Sequence, residues 1–225
     1  MQSLFDQPEH YDQMLEKGIG ITGNDKYYFI KGRIDLVCSA LNKKPKRILD
    51  FGCGIGDSSE HFAQLFPEAE IFGSDVAESA LDFARKRFSL ANLKFLSPAQ
   101  LPPENKFDLI YLNCVFHHIT PEERQRVADL LYSLSSPEGL IWVFENNPAN
   151  PGTQLAMYTN PFDKGVVKVW PSEQRNLLTT SGYELIGTEF IFYFPQWLRL
   201  FRPLEKALNK IPLGGQYGVF ARKPI

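Results

Sequence analysis

A chain of 225 residues is long enough to bury a substantial core. Its 44% hydrophobic and 22% charged residues are ordinary for a globular protein, and a net charge of −2 leaves no electrostatic footprint for nucleic acid. No apolar run approaches a membrane span, the polar and acidic start after Met1 predicts no N-terminal signal, and Cys38, Cys53 and Cys114 lack metal or disulfide spacing. The expectation is a cytoplasmic protein with reduced thiols.

Residues 1–25 read as irregular or weakly helical, broken by Gly18, Gly20 and Gly23. A segment ahead of the first strand often covers a ligand site. Tyr11 and the Tyr27–Tyr28 pair are placed to reach a ligand there, although packing on the domain is the simpler reading. Phe29, Ile30, Ile34, Val37 and Leu41 recur at helical spacing and predict a helix over 26–41.

Residues 47–57 read R-I-L-D-F-G-C-G-I-G-D. Ile48 and Leu49 suit a buried parallel strand, which ends at Asp50. Gly52, Gly54 and Gly56 follow at alternate positions; they permit a sharp turn and leave no Cβ between backbone and ligand. Asp57 with Glu60 reads as a D-x-x-E capping box opening a helix over 57–66. In an open α/β sheet such a turn lies at the carboxyl end of the strand, where ligands bind. The spacing is neither the G-x-G-x-x-G of a dinucleotide site nor a P-loop, since no Gly-Lys-Ser/Thr follows. Asp50, close to the turn, favours a cationic ligand over a pyrophosphate.

With its leading Asp, preceding strand and following helix, this stretch resembles the first motif of the class I S-adenosylmethionine-dependent methyltransferases, roughly D-x-G-x-G-x-G, of the type 11/12-like small-molecule group. The resemblance covers about 45–145 by motif and 170–225 by topology. It implies a doubly wound seven-stranded α/β sheet, order 3-2-1-4-5-7-6 with the last strand antiparallel. Around it would lie an N-terminal helical cap (1–44), a cofactor core (45–147) and substrate-side insertions (148–170 and 195–215), all in one domain. It also implies S-adenosylmethionine as cofactor and S-adenosylhomocysteine as product. The residues it points to for the cofactor are Asp50, Gly52, Cys53, Gly54, Gly56, Asp57, Asp75, Val76, Ser97 and Asn113, with the glycine turn and Asn113 at the methionine part.

Residues 70–74 read as the second strand, ending at Asp75, 25 positions beyond Asp50. An acid there can accept hydrogen bonds from both ribose hydroxyls, in a nicotinamide enzyme as well. In the family it does so, and the next residue, here Val76, lies against adenine. A helix over 79–88 and a third strand over 92–96 follow. Ser97 falls where the family usually has an acid near the adenine amino group, and Pro98 removes a backbone donor, so the pattern departs there.

Residues 107–113, F-D-L-I-Y-L-N, form the fourth strand, with Asn113 at its carboxyl end. Thr120, Pro121 and Glu123 make a capping box with proline first, fixing a helix over 121–134. His117 and His118 are thereby confined to the strand-to-helix loop at the ligand face. An adjacent pair with no third ligand nearby in sequence is not by itself a metal site. His118 is a candidate general base, since an unperturbed imidazole titrates near ~6.5, with a pocket wall as the alternative. After a turn at 135–139 the fifth strand covers 140–144. Glu145 follows, as a candidate acid/base or a loop anchor.

Residues 148–170 read as one wall of the acceptor pocket, 171–181 as a helix, and 183–193 and 216–221 as the terminal strands. Between these, Trp197, Phe201, Leu204, Leu208 and Ile211 recur at helical spacing, with Pro203 splitting two short helices and Arg199, Arg202, Lys206 and Lys210 on other faces. The segment reads as a lid or packing element over an apolar acceptor, with peripheral membrane contact through 195–211 as the alternative.

The predicted reaction is methyl transfer to an oxygen, nitrogen or carbon of a small or lipid-linked acceptor. Two other readings remain: a non-catalytic cofactor-binding interaction module, and a nicotinamide-dependent oxidoreductase. The glycine spacing and the antiparallel last strand argue against the second. Acceptor and oligomeric state are not legible.

Overall fold

A computed structural model describes residues 19–225 except 102, 103, 105, 161, 162 and 164. Tyr11 and most of the expected N-terminal irregular segment lie outside the described residues. Seven strands form one sheet: β1 (Arg47–Phe51), β2 (Glu70–Ser74), β3 (Leu93–Leu96), β4 (Phe107–Asn113), β5 (Ser135–Asn146), β6 (Glu184–Ile191) and β7 (Gln216–Arg222). Their order is β3-β2-β1-β4-β5-β7-β6. β1, β2, β3, β4 and β5 pair in parallel, whereas β7 runs antiparallel to both β5 and β6. This is the class I methyltransferase arrangement expected from the sequence.

The helices are α1 (Lys26–Ser39), α2 (Asp57–Leu65), α3 (Glu78–Arg87), α4 (Pro121–Leu134), α5 (Pro151–Thr159), α6 (Pro171–Thr180) and α7 (Glu205–Leu208). Alternation along the strands divides the core in two. Leu49, Ile110, Leu112, Ile141 and Val143 face α4 and α6, meeting Ala128, Leu131 and Leu178. Ile48, Leu109, Tyr111, Trp142 and Phe144 face α1 and α2, meeting Ile30, Ile34 and Phe62. The sheet is thus covered on both sides, which is why β1 and β4 read as nearly unbroken apolar runs.

Four local expectations change. Asp57 is not the cap of α2: Gly56 holds that position at φ 87°, and Asp57 is the first helical residue. An added Cβ on Gly56 would approach Phe95 to 2.6 Å, so packing and turn shape both require glycine there. Thr120 does stand at the cap of α4 with Pro121 next, but its hydroxyl bonds the Glu123 carboxylate and not the backbone. Residues 135–139 are not a free turn but the irregular start of β5. Ser135 pairs with Phe107, and the register shifts before Leu109. Glu138 takes φ 60°, and Gly139 sits where a Cβ would meet the Phe107 carbonyl oxygen at 2.8 Å. The segment 148–170 contains α5, capped by the Asn150 side chain, which accepts the Thr153 N–H at 2.9 Å, with Pro151 at the first position.

The loop from β4 to α4 is tied down by one buried cation. Arg124 donates from Nε to the carbonyls of Phe116 and Ile119 (3.1 Å each), and from its terminal nitrogens to Glu173 Oε1 and the Val167 carbonyl (2.5 Å each). It joins the histidine loop, α6 and the chain entering it. Arg124→Met is expected to lower stability by about 3 kcal/mol in urea unfolding, because it strands the Ile119 and Val167 carbonyls and Glu173 at once. A change within about 0.5 kcal/mol, as for an ordinary surface site, would refute this role.

Candidate active site

A cavity of about 820 Å³ opens at the carboxyl ends of the central strands. The glycine turn forms its floor. The N–H groups of Gly52 and Cys53 both donate to the Ser74 carbonyl, at 2.7 and 3.0 Å. The Gly54 N–H donates to Asp75 Oδ2 at 2.8 Å, and the Ala77 N–H to Asp75 Oδ1 at 2.9 Å. Gly52 has φ 77°, and a Cβ there would lie 2.3 Å from Val115 Cγ2, so the turn tolerates only glycine at this point. Two stretches that the sequence places 21 residues apart therefore meet in one joint.

Gly52, Cys53, Gly54, Asp50, Asp57, Asp75, Val76 and Asn113 all line the cavity, whereas Gly56 and Ser97 do not. Val76 is 87% exposed, an apolar side chain lying open at the cavity edge. Ser97 instead turns a short 3-10 helix, its N–H bonded to Gln100 Oε1 at 2.9 Å, and Pro98 takes the wall position. Asp57 is neutralised on two sides by Lys26 at 2.8 Å and Arg87 at 3.1 Å. Asn113 Oδ1 is buried with no hydrogen-bond partner, an acceptor left for a ligand.

Asp50 is buried and accepts from Ser59 Oγ at 2.6 Å. Burial pushes its carboxyl up to about 7 against the pull of the Ser59 bond, with Asp75 adding to the rise. Arg33 is 5% exposed, lines the cavity and donates to Tyr111 Oη at 3.0 Å and Gln216 Oε1 at 2.9 Å. Among the described residues it has no carboxylate within ion-pair distance. Both Lys26 and Arg33 fall on the same buried stripe of α1 as Ile30, Ile34 and Val37. Two cations at core positions of an apolar helix face are a signal that the sequence reading passed over.

The side of the cavity formed by the loop between β4 and α4 is organised by a chain of side chains. Glu145 is 1% exposed; its Oε1 accepts the Phe116 N–H at 2.8 Å and its Oε2 meets His117 Nδ1 at 2.5 Å. His117 Nε2 lies 3.0 Å from His118 Nε2 and 3.4 Å from Asp163 Oδ1. Desolvation pulls the His117 pKa down, but Glu145 and Asp163 outweigh it and raise it to about 10. Burial, then the neighbouring His117, lower His118 to about 4. Both histidines and Asp163 line the cavity, and Glu145 does not. His118 is therefore at the cavity wall, while Glu145 stands behind His117 and fixes its ring. Cys114, held at φ 57°, turns the chain into the short 3-10 helix Phe116–His118 that presents the pair. The opposite wall comes from α5 and from Phe192, Phe194 and Trp197. Tyr28 also reaches the cavity, but Tyr27 does not.

These residues fit S-adenosylmethionine. Along one cavity lie an acid (Asp75), an open apolar residue (Val76), a buried acceptor without a partner (Asn113 Oδ1) and a cation without an acid (Arg33), a donor and acceptor set of the kind that cofactor calls for.

A family profile described as "Methyltransferase domain" matches residues 49–141. Trans-aconitate 2-methyltransferase of Methylobacterium radiotolerans is 32% identical over 112 residues, 49% of this chain and 42% of that protein. Demethylmenaquinone methyltransferase of Thermus thermophilus is 31% identical over 130 residues, 56% of this chain and 58% of that protein. The chain thus spans about half the length of these curated relatives. An S-adenosylmethionine-dependent methyltransferase from Archaeoglobus fulgidus superposes with a TM-score of 0.68 at 20% identity, over 88% of this chain and 95% of that one.

The Asp50 carboxyl gives a pH signature. It ionises near pH 4 unfolded and near pH 7 folded, so between these values the folded state keeps a proton that the unfolded state has lost. Asp50 then costs stability progressively as pH rises through that window. The stability difference between Asp50→Asn and the parent protein is expected to grow in favour of the mutant from pH 4 to pH 7, by up to roughly 4 kcal/mol. Parallel pH–stability curves for the two proteins would show that Asp50 ionises normally.

Proposed function

We propose that this chain, which carries a methyltransferase domain at residues 49–141 within the class I methyltransferase fold, binds S-adenosylmethionine and directs its methyl group to a small-molecule acceptor. The observation that carries the reading is the joint of Asp75 with the Gly54 N–H, which sets an acid and an open glycine backbone side by side on one cavity floor. The spare lone pairs of Asp75 are for the ribose hydroxyls, and Val76 is for the adenine face. Asn113 Oδ1 is for the ammonium and Arg33 for the carboxylate. Asp50 supplies negative potential toward the sulfonium. Ser97 has no part in this set, and Gly56 and Asp57 act indirectly, through the shape and charge of the turn.

When bound, the cofactor supplies an electrophilic methyl carbon on a positively charged sulfur. The protein has mainly to align an acceptor with it, and such alignment alone supplies much of a methyl transfer's rate. His118 and the Glu145-oriented His117 make one wall of the acceptor space, with His118 the group placed to take a proton from an acceptor that must lose one. α5 and the chain around Phe192–Trp197 make the other. Trans-aconitate 2-methyltransferase by its name acts on a small carboxylic acid, which fits an acceptor space containing Asn146, Asn150 and Gln216 beside apolar side chains.

Isothermal calorimetry checks the cofactor. S-adenosylmethionine and S-adenosylhomocysteine are expected to bind, Asp75→Asn to weaken both by at least about tenfold while keeping the fold, and NADH not to bind. Binding of NADH, or a folded Asp75→Asn with undiminished affinity, would overturn the reading.

A second reading of the acceptor rests on one surface. The segment after β6 is the 3-10 helix Gln196–Leu204, broken at Leu198, followed by α7. At three residues per turn Trp197 and Leu200 fall on one row, where they remain 75% and 86% exposed, and Trp197 also lines the cavity. An apolar or lipid-linked acceptor delivered from a membrane surface suits this lip. Among the described residues no helix is long and apolar enough to cross a membrane. Sedimentation with anionic liposomes is expected to retain the protein and to lose it in the Trp197→Ser, Leu200→Ser double mutant. Equal behaviour of both proteins would remove the membrane route and leave the soluble acceptor.

A further inference from the structure

The loop between β4 and α4, together with Asp163, brings a group of ligating atoms to the cavity wall. His117 Nε2 and His118 Nε2 are 3.0 Å apart. Asp163 Oδ1 is 3.4 Å from His117 Nε2, and the three ligating atoms lie within 4.8 Å of one another. Metal–nitrogen and metal–oxygen bonds of about 2.0–2.2 Å at angles of roughly 90–110° put neighbouring ligand atoms about 2.9–3.5 Å apart. The two separations from His117, 3.0 and 3.4 Å, both fall in that range.

Each ligand is also held from behind. Glu145 Oε2 engages His117 Nδ1 at 2.5 Å, which orients Nε2 toward the cavity. A carboxylate on the far nitrogen of a ligating histidine is the usual support at metal centres, because it fixes the ring and makes the free nitrogen a better donor. Asp163 Oδ2 accepts from Asn160 Nδ2 at 2.8 Å, which leaves Oδ1 turned to the histidines. The His118 backbone is fixed by its N–H bond to the Val115 carbonyl at 3.0 Å. A second cluster, Cys114 with His117 and Glu145, lies on the other side of the ring. It is closed, since both Glu145 oxygens are engaged by Phe116 N–H and His117.

We propose that His117 Nε2, His118 Nε2 and Asp163 Oδ1 form a three-ligand site for a divalent transition-metal ion, with its remaining positions open to the cavity. Two imidazoles and one carboxylate suit zinc, cobalt and ferrous iron better than magnesium or calcium, which prefer all-oxygen sets. Three protein ligands with vacant positions is the pattern of a site that takes up a further ligand rather than a closed structural one. The open side faces the acceptor space, so an oxygen or nitrogen atom of a bound molecule is within reach of the ion. A carboxylate or a hydroxyl beside a carbonyl is the class of ligand such a position holds best. The site does not depend on methyl transfer. Where that reading also holds, the ion sits at the acceptor end, and His118, its Nε2 lone pair given to the ion, acts there as a ligand in place of the base.

A plain hydrogen bond between the two histidines accounts for the 3.0 Å separation without any ion, and the test separates the two. Chelator-treated full-length protein is titrated with cobalt(II) and followed by visible absorption, which reports nitrogen and oxygen ligation directly. A saturable spectrum at one ion per chain, displaced by zinc, is expected. His118→Gln and Asp163→Asn, both checked for folding by circular dichroism, are each expected to weaken binding by about tenfold or more. His118 is the variant least able to disturb the fold, since its side chain faces the cavity. No cobalt spectrum in the parent protein, or one that survives unchanged in both folded variants, overturns the site. Calorimetry of the same preparation with S-adenosylmethionine reports the cofactor reading separately, so loss of one leaves the other standing.

Discussion

The Ser74 carbonyl receives two N–H groups, from Gly52 and Cys53, and the next residue, Asp75, takes a third from Gly54. This cluster fixes the end of β1 against the end of β2. A parallel pair has no hairpin to set its register, so the ends must be locked by other means. Here three consecutive backbone donors of the glycine turn do it. The cost is conformational: glycine loses more chain freedom on folding than any other residue, and this turn contains three. What offsets that cost is satisfaction of donors that would otherwise be stranded in a turn facing a cavity. The same bonds hold the Asp75 carboxylate at the floor, so folding and presentation of the acid are a single event.

How far the sequence revealed this depends on the range of the interactions. β2, β4 and α4 have the predicted bounds. Their limits are set by Asp75, Asn113, Thr120 and Pro121, residues whose local chemistry ends or starts an element regardless of the rest of the fold. The start of β5 was not legible, because its bulge answers to the Phe107 carbonyl on a neighbouring strand. The cap of α2 was misread for a related reason. D-x-x-E is a true capping pattern, but Lys26 and Arg87 compete for Asp57, and Gly56 takes the cap position by adopting a left-handed conformation. At the site, the glycine turn and Asp75 were readable as motif. Arg33 was not, because its partners Tyr111 and Gln216 lie 78 and 183 positions away. Which of the two adjacent histidines meets Glu145 is set by the 3-10 turn after Cys114, and no spacing rule contains it.

The two ends of the cavity follow different physical rules. The cofactor end is made of backbone and strand termini and can hardly vary in shape without disturbing the sheet. The other end is made of side chains carried by the loop after β4, by α5 and by the segment after β6. Those elements are anchored by polar side-chain contacts. Arg124 ties the histidine loop to the chain before α6, Asn147 donates to the Pro212 and Gly214 carbonyls, and Asn150 bonds the Leu213 carbonyl at 2.6 Å. The one Tyr193 hydroxyl proton is shared between the carbonyls of Leu208 and Ile211, 2.5 and 2.6 Å away. A wall built this way can be re-formed by changing a few polar residues while the sheet stays as it is. That separation explains how one fold serves acceptors of very different chemistry.

The buried carboxylate of Glu145 is the clearest case where stability and function part. Placing a carboxylate in the interior is costly, and a buried ion pair seldom stabilises a fold better than apolar residues of the same volume. A phenylalanine or leucine at the end of β5 would extend the core of Val143 and Phe144 at no electrostatic cost. What the carboxylate provides instead is direction. One oxygen is pinned by the Phe116 N–H, so the other presents a fixed lone pair to His117 Nδ1, and the ring is left a single orientation with Nε2 toward the cavity. Without Glu145 the imidazole can turn about its side-chain bonds, and the relation of His117 to His118 and Asp163 is lost. The expense of burying that carboxylate is therefore accounted for by the geometry it imposes on the cavity wall.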